Sequence, residues 1–87
     1  MNPITHVAII YKGITYSLPS PNRHHNVIWK IAEETKEESI GSNEQGFLDS
    51  AGNFLNRKEA LVNARFNNQL LADRPIWHDE LFSENLW

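Results

Sequence analysis

Apolar residues along this chain alternate, then recur at helical spacing, then alternate again. Val7, Ile9 and Tyr11 fall on one side of a period-two pattern, with Ala8 and Ile10 on the other. Lys12-Gly13 interrupts the run, and Ile14, Tyr16 and Leu18 resume it on one face. His6 to Leu18 therefore predicts a β-hairpin with a two-residue turn at Lys12-Gly13, where glycine supplies a positive φ. The first strand is apolar on both faces, which places it centrally in a sheet. Met1 to Thr5 reads as a short leading arm.

Pro19 and Pro21 close the hairpin and lead into a helix predicted over Arg23 to Thr35, with Asn22 as its N-cap. At about 100° per residue, Val27, Ile28, Ile31 and Ala32 share one face. His24 falls in the same arc, directed toward the sheet, and Trp29 lies nearly opposite. Glu33, Glu34, Glu37 and Glu38 crowd the end where negative charge opposes the helix dipole. Fraying is expected there, followed by a mobile loop through Gly41-Ser42-Asn43-Glu44. Gln45 to Leu55 predicts a second hairpin around the polar turn Asp49-Ser50-Ala51-Gly52-Asn53. Asn56 and Glu59 form a capping box for a second helix, which Pro75 ends. Ala60, Leu61, Ala64 and Leu71 form its core stripe. Val62, Phe66 and Leu70 form a second apolar stripe, which needs the tail or another subunit to cover it.

The predicted architecture is thus α+β: β-hairpin, helix, β-hairpin, helix, with an antiparallel sheet covered on one face by the helices. Residues 1–75 form a single domain. Residues 76–87 form an aromatic C-terminal tail docked on the domain or on a partner subunit, with Trp77, Phe82 and Trp87 as its anchors.

Composition narrows the chemistry. The chain has 87 residues, 40% hydrophobic and 22% charged, as expected of a globular domain. So short a chain buries only roughly 60% of its unfolded surface, which favours a homo-oligomer. The absence of cysteine excludes disulfides and thiolate metal sites and suits a cytosolic protein. The longest apolar run, Val7 to Ile10, is far too short for a membrane span. A net charge of −3 disfavours general nucleic-acid binding but leaves room for a small anionic ligand in a locally positive pocket.

Arg23-His24-His25 is the candidate site. A helix N-terminus attracts anions, Arg23 adds a fixed charge, and the imidazoles add donors. Against this, a first-turn histidine on a core face is commonly a hydrogen-bonded packing residue. Arg57 and Lys58 offer a second anion clamp or a solvated pair. Gln45, Gly46 and Phe47 offer a close backbone approach and a ring that could stack on a base, or simply the start of a strand. Zinc is disfavoured, because adjacent helical histidines diverge by about 100°. No nucleophile occupies a strained elbow such as Gly-x-Ser-x-Gly. No metal and no cofactor are expected.

Arg23-His24-His25, Glu44-Gln45-Gly46-Phe47-Leu48, Gly52-Asn53-Phe54-Leu55-Asn56-Arg57-Lys58-Glu59-Ala60 and Leu81-Phe82-Ser83-Glu84-Asn85-Leu86-Trp87 together resemble a family of short phage and prophage proteins. The resemblance runs from about His6 onward. It implies a phage origin and action in the host cytoplasm. Small accessory phage proteins often counter host defence, and one group of them, the nucleotide sponges, sequesters immune signals of the Thoeris and CBASS type. The expected function is therefore capture, without turnover, of a nucleotide-derived signal. Arg23, His24, His25 and Arg57 would hold its oxygens, and Phe47 or Trp29 would stack on its base. A protein–protein inhibitor of a host defence enzyme and a small phosphodiesterase are the alternatives.

Overall fold

The computed structural model describes residues 1–87. Strand β1 (Ile4–Tyr11) turns through Lys12-Gly13 into β2 (Ile14–Pro19). Helix α1 (His24–Thr35) follows, then strands β3 (Glu44–Asp49) and β4 (Phe54–Asn56), helix α2 (Arg57–Phe66), and a 3-10 turn at Ser83–Asn85. The strands make one antiparallel sheet in the order β2-β1-β3-β4. The α+β architecture and the central place of β1 are as the sequence pattern predicts. No helix is long and apolar enough to cross a membrane.

Register explains the core. Val7 pairs with Phe47, and Val7, Ile9 and Tyr11 share the face that the helices cover. Val27 and Ile31 of α1 and Ala60, Leu61 and Ala64 of α2 complete it. Ile4 would alternate onto the opposite face. A register shift between Ile4 and His6 turns it into the core instead. The Lys12-Gly13 turn has positive φ at both residues (51° and 78°), the geometry of a two-residue hairpin.

Several local expectations need correction. Ile4 and Thr5 belong to β1 and not to a leading arm. Arg23, not Asn22, is the N-cap of α1, and its backbone N–H donates to Asn26 Oδ1 at 2.9 Å. The Asn22 amide is spent on the Pro19 carbonyl, 2.8 Å away. Glu37, expected to fray, accepts from Lys12 Nζ at 2.7 Å and from the Tyr11 hydroxyl, which ties the end of α1 to the first hairpin.

Helix α2 stops at Phe66, well before Pro75. Asn68 adopts a left-handed φ of 54°, Asn68 N–H donates to Arg65 O at 3.3 Å, and Gln69 N–H donates to Ala64 O at 2.9 Å. This is a Schellman ending with asparagine in glycine's usual place. Leu70 and Leu71 therefore leave the helix and do not extend its stripes. Gln69 then uses its side-chain amide to clasp both Ile4 N and Ile4 O, at 2.8 and 2.9 Å.

The tail folds back on the same chain. Leu81 is fully buried and Leu86 nearly so. Leu71 N–H donates to Asn85 O, and the Asn85 amide donates to Pro75 O. The anchors are these leucines together with the half-buried Phe82 and Trp87. Trp77, expected among them, is 62% exposed.

Candidate functional site

The side chains of Arg23, His24 and His25 do not converge on one point. The three side chains leave the start of α1 in different directions. Arg23 Nη1 reaches the tail, 3.4 Å from Ser83 Oγ and 3.5 Å from Glu84 Oε1. His25 is exposed and packs edge-on against Trp29, with ring centroids 5.0 Å apart.

His24 points inward. Its Nε2 lies 2.7 Å from the carbonyl oxygen of Gly46. A carbonyl can only accept, so Nε2 carries the proton and donates. Its ring meets Phe47 edge-to-face at 5.1 Å. Burial pushes the imidazole down from 6.5 to about 4, so it is neutral at neutral pH. Phe47 is fully buried beneath it and has no free face to offer a base. Glycine at 46 has an internal cause. A Cβ there would meet the Leu55 carbonyl oxygen and would lie 2.6 Å from the Phe54 ring, so the requirement comes from packing and not from a ligand's approach.

Arg57 and Gln45 are brought together at the start of α2. Arg57 Nη2 donates to Gln45 Oε1 at 2.6 Å, and Nη1 donates to Leu81 O at 2.7 Å. The guanidinium carbon stands 4.3 Å over the Phe82 ring. Burial lowers the pKa of Arg57, and Glu80 and Glu84 oppose that shift. Held on three sides, the guanidinium has a fixed orientation, and these bonds engage two of the five N–H donors of a planar guanidinium. Beside it opens a cleft of about 440 Å³ lined by Asn43, Gln45, Asn56, Arg57, Lys58 and Glu80. Pairing of β3 with β4 sets Gln45 and Asn56 at one end of the sheet. The Asn56–Glu59 capping box then fixes where α2 begins: Asn56 Oδ1 accepts from Lys58 N and Glu59 N at 3.0 and 2.8 Å, and Glu59 Oε1 accepts from Asn56 N at 2.9 Å.

Of the residues singled out in the sequence for binding, Gln45, Arg57 and Lys58 thus share a cleft. Arg23 and His25 lie outside it, and His24 and Phe47 lie in the interior. Asn43, Asn56 and Glu80 join the cleft through strand pairing and the returning tail, for which there is no local sequence signal. No group of three or more His, Asp or Glu side chains is placed to hold a metal ion.

The profile of the family described as phage T4 y16D protein matches residues 3–87. The chain belongs to that family. It is therefore a phage protein, and the match takes in all four strands, both helices and the tail that closes over Arg57. No curated protein matches the chain. No solved structure matches it either.

Proposed function

We propose that this phage protein works by binding without turnover, sequestering a small anionic, nucleotide-derived signal of host defence in the Arg57 cleft. The ligand class is a cyclic nucleotide or cyclic ADP-ribose derivative, of the kind made by Thoeris or CBASS systems, met in the host cytoplasm. The observation that carries this reading is the lining of the cleft. An acidic chain there sets two cations, Arg57 and Lys58, and three side-chain amides, Asn43, Gln45 and Asn56, against the single carboxylate of Glu80. Guanidinium and amide donors suit phosphate and ribose oxygens, and the volume falls within the usual range for small-ligand sites. The lining offers no histidine, serine or cysteine for nucleophilic catalysis. His24, the nearest candidate for a phosphodiesterase mechanism, is committed to the Gly46 carbonyl.

Titration calorimetry against cyclic dinucleotides and ADP-ribose derivatives tests the reading. One member of the panel should bind the wild type, more weakly as salt rises. Lys58→Glu should weaken that binding by roughly tenfold or more, the loss of a charge-assisted contact plus a new repulsion. Arg23→Ala, outside the cleft, should leave it unchanged. Negative charge in the first turn of α2 suits the helix dipole, so Lys58→Glu should not unfold the protein. No binding by any member, or equal binding to the wild type and Lys58→Glu, removes the proposal.

The second reading, a protein–protein inhibitor, draws on Trp29, which is 65% exposed beside His25. It predicts that nothing small is retained.

A further inference from the structure

The outer face of α2 and the turn that follows Pro75 are complementary to each other. On α2, Val62 and Phe66 stand one helical turn apart, 57% and 67% exposed, in line with Lys58 and Arg65. At the turn, Trp77 and Glu80 pair as an isolated bridge around His78 and Asp79, both at φ 55°. That tight turn carries the 62% exposed Trp77 beside the acidic Asp79 and Glu80. One patch is apolar with a basic rim; the other is aromatic with an acidic rim. Lys58, Arg65, Asp79 and Glu80 form no ion pair within the chain.

The charged rims of the two patches also meet at the start of α2. Leu81 N–H donates to Arg57 O at 3.0 Å, which sets the turn beside the first residue of α2, and Lys58 and Glu80 line one cleft. A surface that carries both halves of a complementary contact side by side can satisfy both at once about a two-fold axis.

We infer that this face is a homodimer interface, in which Trp77 of each copy packs on Val62 and Phe66 of the other while Asp79 faces Arg65. The partner is a second copy of this chain, because the acidic turn that matches the basic stripe is its own. The interface covers apolar side chains that a chain with only 19 of its 87 residues buried cannot cover for itself.

Sedimentation equilibrium on the full chain is the test. The wild type should be dimeric, and Phe66→Asp and Trp77→Ala should each weaken dimerisation by roughly tenfold or more, as central aromatic contacts do. Both side chains are exposed, so circular dichroism should match the wild type, and melting should fall only by the concentration-dependent stabilisation that the dimer supplies. Arg65→Glu and Asp79→Arg should each weaken the dimer, and the double variant should recover it. Neither position lines the Arg57 cleft, so the result stands apart from ligand binding. A monomeric wild type, a dimer indifferent to Phe66→Asp and Trp77→Ala, or a double variant without recovery overturns the inference.

Discussion

His24 shows how one residue can be read correctly in direction and differently in role. The helical arc sends it toward the sheet, and there it donates to Gly46 O and braces Phe47. What spacing could not show is the strand it meets, because Gly46 lies 22 residues away and arrives only through β1–β3 pairing. Its folded-state pKa of about 4 lies below the unfolded value of 6.5. The unfolded chain therefore binds the proton first as pH falls. Stability present above pH 6.5 should decline from there to about pH 4 and then cease to depend on this group. The full effect is of the order of 3 kcal/mol, from about 1.4 kcal/mol per unit of pKa. His24→Gln keeps an amide donor for Gly46 without the titration. Urea unfolding across this range should show the slope in the wild type and not in His24→Gln. Equal slopes would mean that His24 is not the titrating group.

Among the elements, those with local signals were legible. The positive-φ glycine of Lys12-Gly13 and the Asn56–Glu59 box each set an element end within a few residues of sequence. The end of α2 departs from the sequence pattern because its stop is Asn68 and not glycine, while Pro75 is the more familiar breaker. The tail departs from it in detail as well. Of the two tail tryptophans, Trp87 is half-buried and donates to Asn22 O while Trp77 is exposed, and the segment is held chiefly by buried Leu81, whose N–H donates to Arg57 O. Leu81→Ala should cost about 2–5 kcal/mol, a large share of the 5–15 kcal/mol typical of a domain. Thermal or urea unfolding would measure it. A cost below about 0.5 kcal/mol, the level of an ordinary surface change, would place Leu81 outside the core.

For the molecule as a whole, sheet order and tail return build the cleft together. Placing β1 at the centre puts β3 and β4 on one side, which brings Gln45 and Asn56 to the start of α2. The tail then crosses that start, and Phe82 and Leu81 O hold Arg57 in place. Gln45 and Arg57 could be chosen from the sequence by residue type. Their meeting, and the separation of Arg23 and His25 from them, depend on contacts distant along the chain. On the proposed function, the cleft holds an anionic nucleotide and does not transform it. Mass spectrometry of the ligand recovered after heat denaturation of the loaded protein tests this most directly. The expected result is a nucleotide released with its mass unchanged, and far less of it from Lys58→Glu. A hydrolysed product in place of the intact nucleotide, or no small molecule released from the wild type, would contradict it.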